Sequence, residues 1–141
     1  MDFFTAFNIS SSALSAQRTR LNTITSNLAN INTTQTPEGG PYRRKDVVFT
    51  AIEEKNSFNR VLKDKVNAVK VEEIIEDQRP FKFVYDPYHP DANKEGYVSY
   101  PNIEMVEEMV NMLSASRNYE ANINAVKTTT QMAQKALTIG R

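Results

Sequence analysis

The chain has 141 residues, enough for one ordinary domain with its own core, and it carries 17 basic and 17 acidic side chains. Zero net charge offers no attraction to nucleic acid or anionic lipid, and the lack of cysteine excludes disulfides and thiolate metal sites. Apolar runs such as Val47 to Phe49 are too short to span a membrane. The N-terminus lacks the basic region and apolar stretch of a cleavable secretory signal. If the protein leaves the cytoplasm, we expect a route that needs no such signal.

The N-terminal segment, residues 1–32, is predicted to be a helix with very few charges. Residues 1–31 carry only Asp2, Arg18 and Arg20. Apolar side chains recur every seven residues beside a second, partly apolar row, which is typical of a narrow coiled-coil seam. The predicted seam residues are Phe7, Leu14, Leu21, Ile24, Leu28 and Ile31. The other positions are mostly Ser, Thr, Asn and Gln, which indicates contact with further protein rather than with water.

A loop and a charged middle domain follow this helix. Residues 33–41 are predicted to be a loop, with a tight turn of positive φ at Gly39 and Gly40. Residues 42–101 form the predicted β-rich domain, because β-branched and aromatic side chains alternate within it. The strands are expected over 42–52, 68–75, 81–85 and 97–100. Residues 53–64 fit either a helix or a loop, and the charged segment 53–79 has no assigned role.

The C-terminal segment, residues 102–141, is predicted to contain one helix over 103–139 with Asn102 as its N-cap. Glu107 and Glu108, in its first turns, are expected to be solvated or favoured by the helix dipole. Two rows again recur every seven residues. The predicted seam residues are Met105, Met109, Met112, Tyr119, Ile123, Val126, Ala133 and Leu137. The sequence thus predicts an α+β protein in which two long terminal helices pair antiparallel as a coiled-coil-like layer, with a small β-rich domain inserted between them.

Candidate sites for chemistry are weak. His89 is the single histidine and lacks the second imidazole of a typical metal site, whereas Asp86 and Asp91 favour a turn held by Asx hydrogen bonds. Adjacent carboxylates diverge on a helix or strand and make poor acid–base partners. No serine lies in a nucleophile-elbow context. We therefore predict no catalytic residue, no metal site and no cofactor.

Several separated motifs resemble the flagellar basal-body rod and hook protein family, and the proximal rod proteins within it in particular. They occur in the family's order over nearly the whole chain. The matching stretches are 26–33, 36–45, 85–91, 96–98, 100–102, 106–112 and 114–122. The family-motif residues among them are Asn27, Asn30, Asn32, Gly39, Gly40, Tyr42, Arg43, Pro101 and Asn102.

The resemblance implies a structural subunit of the proximal rod that self-assembles through its terminal helices and transmits torque, and not an enzyme. It implies a place in the periplasmic rod of the basal body, and export by the flagellar type III apparatus without a cleaved signal. The implied partners are copies of the chain, other rod proteins, the inner-membrane ring and a rod-base adaptor. Neither nucleic-acid binding nor direct membrane insertion is expected. We expect the basic residues 43–45 to form salt bridges with a neighbouring subunit.

Export substrates of this kind carry a Phe-x-x-x-hydrophobic motif, which Phe3 and Phe7 satisfy. The same pair also fits an ordinary apolar i,i+4 contact on a helix face. Periodicity by itself leaves open a self-contained two-helix stalk with a β-domain at its tip. A monomeric coiled-coil adaptor that binds a partner through its middle domain is the alternative function. An enzyme acting on the cell wall would need a carboxylate pair in a cleft, and the sequence contains no sign of one.

Overall fold

The computed structural model describes residues 3–53 and 67–139 of the chain. Helix α1 spans Phe3–Ala29 and helix α2 spans Met105–Ile139. The strands between them are β1 at Lys45–Glu53, β2 at Asn67–Glu76, β3 at Lys82–Tyr85 and β4 at Tyr97–Tyr100. This order confirms the predicted α+β class, with two long terminal helices around a small β-rich region. Of the segment predicted as either helix or loop, residues 54–64 lie outside the described residues.

Helix α1 forms over 27 residues that include neither Gly nor Pro. Its hydroxyl groups bond back onto the helix, as Thr19, Thr23 and Thr25 each donate to the carbonyl oxygen four residues earlier. This bonding gives the three hydroxyl donors acceptors within the helix itself. At the end of α1, the Asn30 side chain donates to the Ser26 carbonyl oxygen at 2.8 Å. Gly39 and Gly40 follow with φ of +94° and +78°, so the predicted positive-φ turn is confirmed.

The four strands form two separate antiparallel sheets. In the first sheet β1 pairs with β2, from Lys45 opposite Glu76 to Glu53 opposite Asn67. In the second sheet β3 pairs with β4. A two-stranded sheet is marginally stable by itself, so each needs support from the rest of the chain.

The β1–β2 hairpin finds its support along α1, a contact that the sequence did not predict. Asn27, near the end of α1, bonds the backbone of Lys45, and Ser12 Oγ accepts a hydrogen bond from the backbone N–H of Val69 at 3.2 Å. Val69 in turn pairs with Ala51. Residues 12 to 27 span about 22 Å of helix, and residues 45 to 51 span about 20 Å of strand. The two lengths match, so β1 runs along α1 in the opposite direction.

The two helices lie side by side and run antiparallel, because Asn27 near the end of α1 bonds Glu108 near the start of α2. Among the described helices and strands, α1 is the one that α2 contacts. In α2 the segment 109–139 follows Glu108, whereas in α1 the shorter segment 3–26 precedes Asn27. The end of α2 therefore extends past the start of α1 by about two helical turns, or about 10 Å.

The buried core is small, and most of it lies where the end of α1, the start of β1, the end of β4 and the start of α2 meet. Its apolar members are Ala16, Ile24, Val98, Ile103 and Ala115, and its polar members are Thr23, Asn27, Arg44, Asn102 and Glu108. Hydrogen bonds and ion pairs therefore hold this junction as much as apolar packing does. Neither described helix has a stretch apolar enough to cross a membrane.

Candidate assembly surfaces and a buried polar hub

Four buried polar side chains, Asn27, Arg44, Asn102 and Glu108, form a cluster that we call the polar hub. Glu108 is fully buried, and one of its carboxylate oxygens accepts a hydrogen bond from Arg44 Nε at 2.7 Å. The other oxygen accepts a hydrogen bond from Asn27 Nδ2 at 3.1 Å. A buried carboxylate is tolerated only where a partner charge and hydrogen bonds replace its water. The two hydrogen bonds of Glu108 thus join α1, the start of β1 and α2.

Asn27 has all four hydrogen-bonding positions of its amide occupied. Its Nδ2 donates to the Lys45 carbonyl oxygen at 2.8 Å and to Glu108, and its Oδ1 accepts from the Lys45 N–H at 3.0 Å and from the Tyr42 hydroxyl at 3.2 Å. An aspartate at this position could not donate, and an apolar side chain would leave the Lys45 backbone unpaired. Asn27, the first residue of the Asn-rich family motif over residues 27–32, therefore fixes the start of β1 against the end of α1.

Arg44 and Asn102 extend the hub towards the ends of the strands. The Arg44 guanidinium also lies 3.1 Å from an Asp46 carboxylate oxygen and 3.8 Å from one of Asp77. The Arg44 backbone N–H donates to Asn102 Oδ1 at 3.1 Å, and Asn102 Nδ2 donates to the carbonyl oxygens of Asp77 and Arg79, both at 3.3 Å. The predicted N-cap role of Asn102 is wrong, because its amide is used between chain segments and α2 begins later, at Met105.

The ion pairs in and beside the hub shift the pKa values of Arg44 and Asp77, among others. Burial by itself lowers the pKa of the Arg44 guanidinium, but hydrogen bonds and charge from Glu108 and Asp46 outweigh burial, so this pKa is raised. Burial by itself raises the pKa of the Asp77 carboxyl. Hydrogen bonds from Arg79, with the charges of Arg79 and Arg44, outweigh that effect, so this pKa is lowered. Both groups are therefore held in their charged forms.

Two expectations about charged residues are wrong. The sequence predicts a solvated or dipole-favoured Glu108, but this side chain is fully buried because Arg44 supplies the compensating charge. Residues 43–45 are expected to pair with a neighbouring subunit, but Arg44 is buried and forms its ion pairs within the chain. For Arg43 and Lys45 the expectation stays a prediction. The Arg43 guanidinium lies 4.4 Å from the centroid of the Phe81 ring, and the Lys45 ammonium lies 5.8 Å from that of Tyr42.

The predicted seam residues fall into three groups by burial. Ile24 is buried, and the exposed group consists of Phe7, Met105, Met109 and Leu137. The half-buried group consists of Leu14, Leu21, Leu28, Ile31, Met112, Tyr119, Ile123, Val126 and Ala133. The fully buried residues of α2 are Glu108 and Ala115. Each lies one position before a residue of the predicted row that contains Met109 and Ile123. One residue turns a helix by about 100°, which carries Met109 away from the contact with α1.

The first turns of α2 carry an exposed apolar surface that we call the α2 strip. It consists of Met105, Val106, Met109, Val110 and Leu113, all more than half exposed. These positions share one side of the helix and include no charge. Another side of the same turns carries Glu107, which pairs with Arg79 at 3.7 Å. Contiguous exposed apolar surface of this kind marks interaction sites on soluble proteins.

A second exposed apolar surface, which we call the apolar tip, lies at the other end of α2. It consists of Met132, Leu137 and Ile139, which are 59%, 76% and 85% exposed. Leu137 and Ile139 belong to the part of α2 that extends past α1, so they have no facing helix in the described structure. Met109 and Leu137 are 28 positions apart on one helix, or about 42 Å. The strip and the tip are therefore two distinct surfaces at opposite ends of the helix pair.

The β3–β4 sheet has an exposed aromatic face formed by Phe83, Tyr85 and Tyr97. Tyr85 lies opposite Tyr97, with ring centroids 5.3 Å apart in an edge-to-face arrangement. Gly96 has φ of +81°, and a Cβ at this position would lie 2.9 Å from the Tyr85 ring. Glycine therefore allows the backbone to approach the ring. The opposite face of the sheet contains Val98, which is fully buried.

His89 belongs to the turn between the two strands of this sheet. The predicted Asx hydrogen bond is present, since the Tyr88 N–H donates to Asp86 Oδ1 at 3.2 Å. His89 Nδ1 accepts a hydrogen bond from the Asp91 N–H at 3.1 Å, and Asp91 accepts one from the Thr34 hydroxyl at 2.7 Å. Within residues 3–53 and 67–139, no group of three or more His, Asp or Glu side chains is arranged to hold a metal ion.

Known proteins are similar to this chain over its full length. Residues 7–35 match the family model described as flagella basal body rod protein, and residues 94–139 match the one described as flagellar basal body rod FlgEFG protein C-terminal. The chain is 45% identical to the flagellar basal-body rod protein FlgC of Bacillus subtilis, with 100% of both chains covered. The chain belongs to the FlgC family of flagellar basal-body rod proteins. A FlgC from Escherichia coli is 44% identical over 100% of both chains, and the Borreliella burgdorferi FlgC is 41% identical over 99% of this chain and 98% of its own.

Membership of the FlgC family confirms the resemblance seen in the sequence motifs. It supports a structural subunit of the flagellar rod and gives no support to a monomeric coiled-coil adaptor. One matched segment contains most of α1 with its Asn-rich motif, and the other contains β4 and α2. The hub residues Asn27, Asn102 and Glu108 lie within these two segments.

Sequence reasoning missed the Arg44–Glu108 pair. The two residues are 64 positions apart in the chain, so no local spacing relates them. Glu108 also precedes Met109, whose apolar side chain makes it the more obvious seam residue. The position of Arg44 was a usable signal that it is buried. It lies beside the family motif, between a predicted loop and a predicted strand. A buried arginine there has backbone groups close by.

Proposed function

We propose that this FlgC-family chain is a load-bearing rod subunit that assembles through the α2 strip and the apolar tip. The observation that carries the proposal is their placement at opposite ends of one helix pair, about 42 Å apart. Two different surfaces that bind each other on successive subunits make a heterologous contact, and such contacts propagate into rings or open helical assemblies. A closed dimer would need one self-complementary patch instead.

A mechanical role also fits the chemistry of the polar hub. Both carboxylate oxygens of Glu108 and all four bonding positions of Asn27 are used by the protein itself. A buried cluster whose side chains bond one another in this way joins elements rigidly. We therefore propose that the hub passes load between the helices and the β1–β2 hairpin. Similarity to structural rod proteins supports the further proposal that the chain has no catalytic activity.

The exposed aromatic face of the β3–β4 sheet is proposed as a contact with neighbouring rod subunits. Phe83 and Tyr85 are 64% and 65% exposed, and Tyr88 in the adjoining turn is 96% exposed. Tyrosine and phenylalanine are enriched at protein interfaces because they bury a large apolar area while the tyrosine hydroxyl keeps a hydrogen bond. The middle domain would then face outward from the helical layer.

The double substitution Met109→Glu/Val110→Glu tests the role of the α2 strip. Both side chains are more than half exposed, so we expect the purified variant to keep the circular dichroism spectrum and unfolding midpoint of the parent. Cells carrying it should lose motility, and the subunit should be absent from isolated basal bodies. Asn124→Glu, an exposed polar position further along α2, is the matched control and should stay motile. Normal motility of the double variant would refute an assembly role for the strip.

Export without a cleaved signal, through the flagellar type III apparatus and into the periplasmic rod, is the proposed route. The inner-membrane ring and a rod-base adaptor are the proposed neighbours at the base. Phe3 and Phe7 are the proposed export motif, and Phe7 is 41% exposed on α1. Phe3→Ala/Phe7→Ala should abolish secretion into the medium while the cytoplasmic level stays unchanged, and Phe4→Ala should be secreted normally. Secretion of the double variant at the parental level would contradict the motif.

A further inference from the structure

The apolar rows of the two helices are compatible with more than one axial alignment. On α2, half-buried Met112, Tyr119, Val126 and Ala133 recur every seven residues, and on α1 Leu14, Leu21 and Leu28 do the same. Sliding α2 by one heptad places Tyr119 where Met112 lies and Val126 where Tyr119 lies. The contact within this row stays apolar, so this row does not distinguish the two alignments. In the neighbouring row of α2, Asn122 would take the fully buried place of Ala115.

The lengths of the helices do not select the observed alignment either. In the slipped alignment Ala115 takes the place of Glu108, and the segment 116–139 of α2 follows it. This segment is as long as the segment 3–26 of α1, which precedes Asn27. The part of α2 that extends past α1 would then lie against it, so the slip loses no helix contact at that end.

We infer that the polar hub sets the axial register between α1 and α2, with Glu108 as the residue that specifies it. Ala115 and Glu108 are both fully buried and lie seven positions apart on the same side of α2. If Ala115 occupied the hub, Arg44 and Asn27 would lose the carboxylate that they share, and Glu108 would lose both donors. Removing one partner of a buried ion pair is strongly destabilising, and a buried polar residue in an apolar seam is a well-attested means of fixing register.

Apart from the 4.0 Å approach of Glu107 to Arg44, the other contacts of the hub do not reach α2. The bonds of Asn27 to Lys45 and of Ser12 to Val69 fix the hairpin on α1 and do not involve α2. Asn102 anchors the chain ahead of α2, but extra residues looped out after it would absorb a slip. Glu108 is the hub member that belongs to α2 itself.

A fixed register has a consequence for assembly, which rests on the proposed function. A one-heptad slip moves the α2 strip and the apolar tip by about 10 Å relative to α1 and to the hairpin. Subunits with mixed registers would present the strip at different positions beside the same α1 surface. Identical subunits in a helical stack need the α2 strip at one fixed position relative to α1, and the hub provides that position.

Distances between two spin labels on the purified full-length chain measure the register directly. The sequence has no cysteine, so Asn22→Cys and Gln131→Cys introduce unique labelling sites at two exposed positions. Counted from the Asn27–Glu108 contact, their axial separation is about 27 Å in the observed register and about 17 Å after a one-heptad slip. We expect one narrow distance distribution near the longer value for the parent.

Moving the carboxylate by one heptad provides the decisive test. In Glu108→Ala/Ala115→Glu, the introduced carboxylate takes the hub position, so the axial separation of the labels should shorten by about 10 Å, and the measured distance with it. An unchanged distance would overturn the inference. Should that variant fail to fold, Glu108→Ala by itself removes the lock without burying a new charge, and a second, shorter population should appear. A single distance identical to the parent in Glu108→Ala would also overturn it.

Glu107→Ala is the matched control, because this neighbouring carboxylate is half exposed and lies 4.0 Å from Arg44. It should leave the distance unchanged, and a shift as large as that of Glu108→Ala would remove the special role of Glu108. The measurement involves the isolated chain. Loss of motility in Met109→Glu/Val110→Glu therefore tests assembly separately, and either proposal can fail without the other.

Discussion

Among the described residues, replacing Arg44 by methionine leaves the fully buried Glu108 carboxylate with one hydrogen-bond donor, Asn27, and no compensating charge. Loss of one partner of a buried ion pair costs about 3–5 kcal/mol. Whole domains are stable by about 5–15 kcal/mol, so Arg44→Met should remove a large part of the free energy of unfolding. Urea unfolding of the purified full-length chain, followed by the circular dichroism of its helices at about 222 nm, measures this loss.

Replacing Glu108, the other member of the pair, should cost less stability, because Arg44 retains other partners. In Glu108→Leu the guanidinium still lies 3.1 Å from Asp46 and 3.8 Å from Asp77, near the protein surface. The expected cost is about 1–3 kcal/mol, that of leaving buried polar groups partly unsatisfied. Replacing both partners by apolar side chains removes the unpaired charge, so Arg44→Met/Glu108→Leu should be more stable than Arg44→Met alone.

The three variants form a double-mutant cycle with a clear expected sign. We expect a coupling free energy of about 2 kcal/mol or more between Arg44 and Glu108, within the range found for contacting residues. The two single substitutions could instead have equal costs that add up to the cost of the double variant. This result would show that the pair is not coupled. The Arg44–Glu108 pair would then not be what holds the polar hub together.

Two further predictions concern pH and the helix seam. The pKa of Asp77 is lowered from its ordinary 3.8, so its contribution to stability is present above that value and is lost as the pH falls below about 4. Asp77→Asn should therefore weaken the pH dependence of the urea midpoint in that range, and an unchanged dependence would contradict this. Leu21→Asp and Val126→Asp, both at half-buried positions, should each cost on the order of 2 kcal/mol and abolish motility. Exposed Ala121→Asp is the control, and motile cells with either seam variant would show that the seam is misplaced.

The elements of the fold could be predicted because their signals are local. The unbroken run without Gly or Pro over α1 predicts a helix, and alternation at residues 82–85 predicts a strand. The glycine pair at 39–40 predicts a positive-φ turn because few other residues adopt that conformation at low cost. Each signal needs only neighbouring residues, so each survives without knowledge of the tertiary structure.

The packing of the β1–β2 hairpin on α1 could not be predicted in the same way. Its contacts join residues far apart in the chain, such as Ser12 and Val69. The polar positions of α1 correctly indicate contact with protein, but composition does not tell a neighbouring helix from a hairpin of the same chain. The contact expected with further protein is therefore made in part with the β1–β2 hairpin of the same chain.

The sequence by itself determined two heptad-patterned helices, a β-rich insertion and membership of the flagellar rod family. Only the tertiary structure decided which side of α2 meets α1. Hydropathy favours Met109 over Glu108 for the buried side, since an unpaired carboxylate is costly to bury. Arg44, which is 64 positions away, reverses that preference by supplying the opposite charge inside the protein. Burial of a charge depends on its partner in space, and hydropathy along the chain does not contain that information.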